Sequence, residues 1–363
     1  MRLLTVTHFF ASHGGGIERV ADQLCCELVA QGHHCEWAAS SADPSPMGCN
    51  LTALPLPCWN PTEALTGLPM PVPAPRGLAM LLRAVRDADA VIIHDALYVT
   101  SIVAMVAARL AHRPVVLVQH IARLEFASLV MRGIMALATR LVTRPMLRAA
   151  DRAIFISAAV QNSFAGVRFR NPPLLVFNGV DTVLFHPGHS ACPIGRRQVL
   201  FVGRFVSKKG LAVIRACAER RPDLDFVLVG QGPLDPAGWG LPNVCLTGPL
   251  APTQVADRMR VADVLLLPSS GEGYPLVVQE ALACGLPVIC GEDSAASDPG
   301  AAGFLRGVAI DPADPEGTAA RIVPLLDRPA DPATRKEAAA YAAAAYSWRG
   351  MAAAVAEVAR RGA

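Results

Sequence analysis

Short β-rich runs alternate with Ala-, Leu- and Arg-rich helical stretches along almost the whole of this 363-residue chain. The alternation runs from Leu3–His8 to Leu174–Phe177, loses all periodicity over 186–198, and restarts at Val199–Val202. Strands that alternate with helices predict a parallel sheet covered on both faces. A segment without periodicity is typical of a linker between domains. We therefore expect an α/β protein with two doubly wound, Rossmann-like domains.

The predicted domains are 1–187 and 188–346, followed by a terminal helix, 347–363, that is expected to pack back on the first domain. Ligands of doubly wound sheets bind at the carboxyl ends of the strands. With two such sheets, we expect these ends to face each other across a deep cleft that holds the site. Residues 43–75 contain nine prolines and predict a long irregular excursion.

The composition excludes several classes of protein. Apolar residues make up 52% of the chain, which rules out a disordered protein. A formal net charge of +3 gives no overall footprint for nucleic-acid binding. No apolar run approaches the roughly 18–20 residues of a membrane span, and the N-terminal sequence does not resemble a signal peptide. None of the ten cysteines forms a C-x-x-C pair, so we expect reduced cysteines in a cytoplasmic protein.

The strongest site pattern is a strand–loop–helix segment that carries two glutamates. Glu272 lies in a glycine-bounded loop after the strand, and Glu280 lies eight residues later, within the helix. The helix is expected to start after Pro275, which leaves the N–H groups of Leu276 and Val277 free to bind an anion. Carboxylates beside an anion suit the hydroxyl groups of a sugar or a ribose. Two surface acids in an ordinary loop and helix are the alternative.

A second pattern is the basic loop after Val199–Val202. The chain has thirty arginines and three lysines, yet two of the lysines, Lys208 and Lys209, are adjacent here and follow Arg204. A guanidinium and a flexible ammonium together suit a diphosphate, and a solvated basic loop is the alternative. Both loops follow strands of the same half of the chain, so we expect them to converge. Cations, helix N–H groups and carboxylates together describe a site for a nucleoside diphosphate-sugar.

Six blocks of sequence, which occur in order almost from end to end, resemble the retaining glycosyltransferases of family 4. The blocks are HGGGIERVADQLCCELVAQGHHC, ADRAIFISAAVQNSF, VFNGVDTVLFHP, VGRFVSKKG, VGQGPL and EGYPLVVQE. The resemblance implies the GT-B architecture, with an acceptor-side first domain and a second domain that binds the sugar donor. It also implies transfer of a hexose-type sugar, with retention at the anomeric carbon and without a metal or other cofactor. The substrates it implies are a UDP- or GDP-sugar and a glycan or lipid-linked acceptor in bacterial cell-surface polysaccharide or glycolipid synthesis.

The same resemblance implies roles for individual residues. Arg204 and Lys209 would hold the diphosphate and stabilise the leaving group. Glu272 would bond hydroxyls of the sugar, and Glu280 those of the ribose. His120 matches a family histidine near the sugar, with a structural role as the alternative. Further contacts to the sugar donor are expected from Gly15, Gly16, Gln231, Gly232, Pro233, Tyr274, Leu276 and Val277.

Other readings stay open. Glu18 follows the glycine loop early in a helix, where a carboxylate favours the helix dipole in any case, and we assign it no catalytic role. His94 and Asp95 end a neighbouring strand and are interpreted as structural or acceptor-side residues. A nucleotide-sugar epimerase or a phosphorylase would keep the fold and change the reaction. A catalytically silent GT-B subunit that binds a partner is a third possibility.

The acceptor side is sought in the first half of the chain, where residues 123–170 contain eight arginines and two acids. Arg140, Arg144 and Arg148 recur at every fourth position and share one face of a predicted helix. A basic amphipathic helix predicts peripheral binding to an anionic membrane, at the inner face of the plasma membrane. A solvated arginine face is the alternative. Pro145 is expected to break the segment in two.

Overall fold

The computed structural model describes residues 1–46, 48–60, 70–121, 129–188, 195–328 and 331–362. Contacts between Cα atoms divide the chain into two compact units. The first consists of residues 1–179 together with 348–363, and the second of residues 180–347. The chain therefore passes between the units twice, and the first passage lies before the linker that the sequence analysis places at 186–198.

The first unit is built on a seven-stranded parallel sheet and a separate antiparallel pair, β4 with β5. Its strands are β1 (Arg2–Val6), β2 (His34–Ser40), β3 (Thr52–Leu56), β4 (Cys58–Trp59), β5 (Val72–Pro73), β6 (Ala90–His94), β7 (Val115–Gln119), β8 (Arg152–Phe155) and β9 (Leu174–Leu175). The spatial order is β3-β2-β1-β6-β7-β8-β9, so the strand order reverses between β1 and β6. Strands β6 and β7 are buried along their whole length, as central strands covered on both faces are.

Helices connect these strands. They are α1 (Gly16–Ala30), α2 (Pro75–Asp87), α3 (Val99–Leu110), α4 (Leu129–Ala138), α5 (Arg144–Ala149) and α6 (Ala158–Ser163). Alanine, valine and leucine side chains of α2 and α3 pack with those of β1, β6 and β7 in one continuous apolar core. This burial is the main favourable contribution to folding of the unit.

The proline-rich stretch 43–75 is not wholly irregular, because it contains β3. This strand pairs in parallel with β2, and Pro55 lies opposite Ala39. Proline cannot donate to a strand ladder, but β3 is the edge strand of the sheet, where that loss is tolerated. The expectation of an irregular excursion is therefore wrong for residues 52–56. Residues 61–69 lie outside the described parts of the chain.

The arginine-rich helical segment does not break at Pro145. Helix α4 runs into a π-helical turn, Thr139–Thr143, which leads directly into α5. The N–H of Arg144 donates to the carbonyl of Thr139, five residues earlier, in place of the usual four. This wider turn shifts the carbonyl register just before the proline ring, which would clash in a regular α-helix. The expected break is therefore wrong, and the segment is continuous.

The second unit is built on a six-stranded parallel sheet. Its strands are β10 (Gln198–Val202), β11 (Asp225–Val229), β12 (Val244–Gly248), β13 (Val264–Leu267), β14 (Val288–Gly291) and β15 (Leu305–Val308). Its helices are α7 (Leu211–Arg220), α8 (Pro252–Val261), α9 (Leu276–Ala283), α10 (Glu292–Ala295), α11 (Pro315–Leu326) and α12 (Pro332–Ala345). The spatial order is β12-β11-β10-β13-β14-β15, so the strand order reverses between β10 and β13.

The last helix, α13 (Trp348–Gly362), belongs to the first unit. It packs against α1, β6 and β7. Met351, Val355 and Ala359 recur at every fourth position and are buried, whereas Arg360 and Arg361 remain in contact with solvent or with their own helix. The helix thus presents one apolar stripe to the unit that it completes.

One pair of cysteines is joined. Cys26, on α1, forms a disulfide with Cys49, and their Cα atoms lie 5.3 Å apart. The expectation that all cysteines are reduced is therefore wrong for this pair. Seven other cysteines in the described parts of the chain are free, and most of them are buried. Disulfides persist chiefly in oxidising compartments. This bond therefore counts against the cytoplasmic location expected from the sequence.

Candidate functional site

In each unit, chemically active side chains follow the two strands between which the strand order reverses. Doubly wound sheets bind ligands in the crevice beyond the carboxyl ends of such strands. In the second unit, Arg204, Lys208 and Lys209 follow β10, and Glu272 follows β13; we call these four residues the lysine–glutamate site. In the first unit, we call the residues around the ends of β1, β6 and β7 the histidine cluster; they are His8, Glu18, His94, Asp95 and His120.

An ion pair is the centre of the lysine–glutamate site. Lys209 Nζ lies 3.0 Å from Glu272 Oε1, and both side chains are only 14% exposed. Lys208 Nζ lies 3.8 Å from the same oxygen and is 61% exposed. The Lys209 contact is an ion pair, and Glu272 Oε1 accepts no hydrogen bond from the described residues. An incoming anion can therefore attract Lys209 without breaking a well-formed hydrogen bond.

Local backbone geometry brings the two loops of this site together. Residues Ser207–Lys209 form a 3-10 turn that ends at Gly210, which has a φ of 72°. A Cβ at Gly210 would lie 2.0 Å from the carbonyl oxygen of Pro268, so only glycine permits this approach. The backbone N–H of Ser270 donates to the carbonyl of Lys208 at 3.0 Å and fixes the loops in register.

Helix α9 begins directly after the Glu272 loop. Its N-cap is Pro275, whose side chain cannot accept a hydrogen bond from the first N–H groups of the helix. Leu276 and Val277 supply the first two of these groups, as the sequence predicts. Glu280 lies within the helix and is 6% exposed. The helix terminus and the carboxylate of the ion pair thus lie on one short segment.

Tyr274 is held inside the second unit. Its hydroxyl lies 2.8 Å from that of Tyr346, which donates to Asp298 Oδ2 at 2.7 Å. Tyr341 donates to the same carboxylate. Burial raises the pKa values of Tyr274 and Tyr346 far above the ordinary value. The hydroxyl of Tyr274 therefore anchors its loop. If Tyr274 contacts a sugar donor, it does so through its ring or its backbone.

The loop after β11 joins the loop after β10. Gln231, Gly232 and Pro233 are exposed, and the carbonyl of Gln231 accepts from the N–H of Phe205 at 2.9 Å. Arg204, the residue before Phe205, is exposed as well. The structure therefore brings these residues to the same sheet edge as the lysine–glutamate site.

In the first unit, His8 and Glu18 form a buried pair. His8 Nε2 lies 2.8 Å from Glu18 Oε1, and the imidazole stacks on the ring of Tyr98 with 3.7 Å between centroids. The Nδ1 atom of His8 is buried without a partner among the described residues. Burial alone would raise the pKa of Glu18, but the hydrogen bond and charge of His8 outweigh it, so the pKa lies below its ordinary value.

The carboxylate of Glu18 also covers the start of α1. A Cβ at Gly15, the N-cap, would lie 2.0 Å from Glu18 Oε2, whereas a Cβ at Gly16 would meet nothing within 4 Å. A negative group at a helix N-terminus stabilises the helix through its dipole. A phosphate that approached Gly15 would therefore meet a carboxylate of the chain itself.

Two histidines from neighbouring strands form the other half of the cluster. His94 Nδ1 lies 2.9 Å from His120 Nε2, and both rings are buried. Burial lowers the pKa of His94 to about 3 and that of His120 well below its ordinary value. Both imidazoles are therefore neutral at pH 7.

Asp95 connects the ends of β6 and β7. Its Oδ1 accepts from Gln119 Nε2 at 2.6 Å and from the backbone N–H groups of His120 and Ile121 at 3.0 and 3.2 Å. Its Oδ2 is buried without a partner among the described residues. Burial raises the pKa of this carboxyl to about 7, although the hydrogen bonds act in the opposite direction.

Comparisons with known proteins agree with this arrangement. The family pattern described as "Glycosyltransferase Family 4" matches residues 14–184, and the pattern described as "Glycosyl transferases group 1" matches residues 196–328. The first falls almost wholly in the first unit, and the second falls in the second unit. The chain belongs to the family-4, group 1 glycosyltransferases. The family predicted from the sequence is thereby confirmed.

Curated glycosyltransferases match part of the chain. The sulfoquinovosyl transferase SQD2 of Arabidopsis thaliana is 29% identical over 232 residues, which cover 57% of this chain and 44% of that protein. The D-inositol 3-phosphate glycosyltransferase of Thermobispora bispora is 34% identical over 211 residues, which cover 50% of this chain and 48% of that protein. The chain spans about half the length of these relatives.

Solved glycosyltransferase structures match the whole chain. The sucrose-phosphate synthase of Thermosynechococcus elongatus superimposes with a TM-score of 0.72 at 18% identity, over 99% of this chain and 98% of that one. HepE of Anabaena, in complex with UDP and glucose, gives a TM-score of 0.70 at 17% identity, over 99% of this chain and 100% of that one. The predicted GT-B fold, with two Rossmann-like sheets, is thereby confirmed.

For this family-4 glycosyltransferase, the sequence analysis names more candidate residues in the second unit than in the first. It singled out His120 but assigned no function to Glu18, and it left His94 and Asp95 as structural or acceptor-side. His8 was given no role at all. The position of two of these residues in the sequence could have indicated them. His8 follows β1 and His94 ends β6, and these are the two strands that flank the reversal.

The arginine segment of the glycosyltransferase carries an exposed apolar face. Arg140 and Arg148 are exposed and Arg144 is half-buried. Large apolar side chains exposed on the same segment are Ile134, Leu137 and Leu141. Residues 129–150 contain no acidic side chain. Residues 122–128, with Arg123, lie outside the described parts of the chain.

Neither a membrane-spanning helix nor a metal-binding cluster occurs among the described residues. No helix in those ranges is both long enough and apolar enough to cross a bilayer. Nor does any group of three or more His, Cys, Asp or Glu side chains within them have an arrangement suited to a metal ion.

Proposed function

We propose that this glycosyltransferase moves a hexose-type sugar from a UDP- or GDP-sugar to a hydroxyl of a glycan or lipid-linked acceptor. The observation that carries the proposal is the lysine–glutamate site. There, a largely buried ammonium and carboxylate lie 3.0 Å apart on two loops that flank the strand reversal, with the start of α9 close by in sequence. Cations and helix N–H groups suit a diphosphate, and a carboxylate suits sugar hydroxyls.

In the proposed reaction, the bond between the anomeric carbon and the diphosphate oxygen breaks, and a bond from the acceptor oxygen to that carbon forms on the same face. The acceptor proton passes to the departing diphosphate. Arg204 and Lys209 stabilise the negative charge that develops on the leaving group. Glu272 holds hydroxyls of the sugar, and Glu280 holds those of the ribose. Because these cations supply the neutralising charge, the proposal requires no metal.

A panel of nucleotide-sugars tests the binding step. The melting temperature is measured with UDP-, GDP-, ADP- and dTDP-sugars in the presence of a chelator. A ligand at 100 times its dissociation constant stabilises a protein by about 2.7 kcal/mol, which corresponds to several degrees for units of this size. We expect one nucleotide series to raise the melting temperature of the wild type. No shift from any of the four series would contradict the proposal.

An acceptor screen separates the proposal from its alternatives. The bound nucleotide-sugar is incubated with and without glycosides that carry an apolar aglycone, and the products are followed by mass spectrometry. Nucleotide release that depends on the acceptor supports transfer. Conversion of the sugar without an acceptor would indicate an epimerase. Binding without any turnover would indicate a catalytically silent subunit.

We also propose that the acceptor side meets an anionic membrane at the inner face of the plasma membrane, which would suit a cytoplasmic enzyme of cell-surface polysaccharide or glycolipid synthesis. The support is the segment that carries Ile134, Leu137 and Leu141 beside three arginines. Apolar side chains can insert at the level of the headgroups, while each arginine near anionic lipid contributes about 1 kcal/mol.

Vesicle sedimentation tests the membrane proposal. Replacement of Arg140, Arg144 and Arg148 by Gln should weaken binding to phosphatidylglycerol vesicles by roughly a hundredfold, since about 3 kcal/mol is lost. The matched control replaces three exposed arginines of α2 and should leave binding unchanged; they are Arg76, Arg83 and Arg86. Equal sedimentation of both variants would end this proposal.

A further inference from the structure

His120 is held at two points by two adjacent residues at the end of β6: His94, its last residue, and Asp95, which follows it. His94 contacts its ring, and the carboxylate of Asp95 accepts from its backbone N–H. Asp95 has a backbone φ of 58°, in the left-handed region that residues other than glycine rarely adopt. Such a backbone conformation is energetically unfavourable and persists where the surrounding contacts determine it. The end of β6 is therefore shaped to hold the end of β7.

Only one hydrogen can lie between His94 Nδ1 and His120 Nε2. Both rings are neutral, so each carries a single N–H. If His120 donated, His94 would carry its hydrogen on Nε2, which is buried and has no partner among the described residues. If His94 donates, its Nε2 is a bare lone pair instead. Buried N–H groups without a partner are rarer than unpaired acceptors, which favours donation by His94.

We infer that His94 and Asp95 are positioning residues that make His120 a neutral hydrogen-bond donor. His94 donates to Nε2 of His120, so the hydrogen of His120 resides on Nδ1, where the ring can donate to an oxygen but cannot accept a proton. Asp95 fixes the backbone from which this ring projects. The identity of that oxygen as a sugar hydroxyl rests on the proposed function, whereas the tautomer of His120 does not.

The tautomer can be observed directly. Long-range 1H–15N correlation spectra of the full-length protein with 15N-labelled histidine distinguish protonated from bare ring nitrogens. The chain has nine histidines, and His120→Gln assigns the signals of His120. The wild type should show hydrogen on Nδ1 of His120 and a bare Nε2. Hydrogen on Nε2 would overturn the inference, and this result does not depend on any variant of His94.

Two variants of His94 test its positioning role. His94→Leu removes the donor and should leave His120 as a mixture of tautomers. His94→Asn places an amide N–H near the former Nδ1 and should restore the single tautomer. With a reactive sugar donor, His94→Leu should lower kcat/KM about tenfold, as expected for one misdirected hydrogen bond, and His94→Asn should recover most of it. A single unchanged tautomer in His94→Leu would contradict the inference.

A binding measurement keeps this inference separate from the proposed function. The melting-temperature shift caused by UDP or GDP without a sugar should be the same in the wild type and in His94→Leu, because the lysine–glutamate site is intact in both. Absence of a shift in the wild type would count against the proposed function. The spectra would then still decide whether His94 sets the tautomer of His120.

Discussion

The two strand-order reversals have the same topology but carry side chains of different charge. In the second unit, the reversal between β10 and β13 carries a lysine and a glutamate in ionic contact, with further cations exposed beside them. In the first unit, the reversal between β1 and β6 carries buried imidazoles, two of which burial keeps neutral. Topology thus fixes where a ligand can bind, and the side chains determine what charge it can have.

The carboxylates of Glu272 and Glu18 also differ, in how easily their partners can be displaced. Glu272 contacts a lysine that a diphosphate can attract, so the pair can open to admit an anion. Glu18 is locked between His8 and the start of α1, so its negative charge stays in place. We therefore expect the charged diphosphate to be bound by the second unit, and the histidine cluster of the first unit to contact only uncharged oxygens.

The largest effect on catalysis is expected from Lys209→Ala. Loss of a group that stabilises charge in a transition state typically lowers the rate by about a hundredfold or more. The transfer rate of this variant should fall by that factor. Lys336→Ala removes the same charge from an exposed position on α12 and should retain wild-type activity. A Lys209→Ala variant as active as the control would remove the lysine–glutamate site from the reaction.

A pH-dependent effect on stability is expected from Asp95→Asn. Burial raises the pKa of Asp95 from 3.8 to about 7. Between these values the unfolded chain releases this proton while the fold keeps it, so the carboxyl destabilises the fold increasingly as the pH rises. Above pH 7 the effect is constant, at no more than about 4 kcal/mol.

The Asn variant cannot titrate at this position, and Asn tolerates the positive φ better than most residues. Its melting temperature relative to the wild type should therefore rise from pH 4 to pH 7 and then level off. If the amide fits less well than the carboxyl group, the melting temperatures differ by a constant amount at every pH. Such an offset does not change this slope. Parallel curves over the whole range would show that Asp95 is not buried as a neutral acid.

A smaller effect is expected from the Cys26–Cys49 disulfide. The bond closes a loop with a sequence separation of 23, for which chain entropy gives a stabilisation of about 3 kcal/mol. Cys49→Ser should lower the free energy of unfolding by about that amount under oxidising conditions and not at all in reductant. Thiol titration of the denatured, unreduced protein should find no more than eight of the ten cysteines free. Ten free thiols would contradict the bond and favour the cytoplasmic reading.

The sequence predicted the parts of this molecule that follow from periodicity and strand order. Alternating strands and helices led to two parallel sheets, and both Lys209 and Glu272 were placed at one sheet edge because each follows a strand. The contacts that sequence reasoning missed depend on neighbours distant in the chain. The bond between His94 and His120 needs the pairing of β6 with β7, and β3 was hidden because prolines mask an edge strand.

Pro145 shows a different limit. Proline is normally read as a helix break, and only the hydrogen-bond register of Thr139–Thr143 reveals that a π turn keeps the helix continuous. The pair of His8 and Glu18 likewise spans a glycine loop whose path the sequence does not specify. Local pattern therefore located the strands and loops, while side-chain direction had to come from the fold.

Titration calorimetry with UDP and GDP, in the wild type and in two variants, tests the division between the units most directly. For the nucleotide that binds the wild type, Lys209→Ala should weaken binding by at least tenfold, since an ionic hydrogen bond contributes about 1.5–3 kcal/mol. His120→Ala should leave it unchanged, because the account assigns His120 to uncharged oxygens. Equal affinity in Lys209→Ala and the wild type, or a loss confined to His120→Ala, would contradict it.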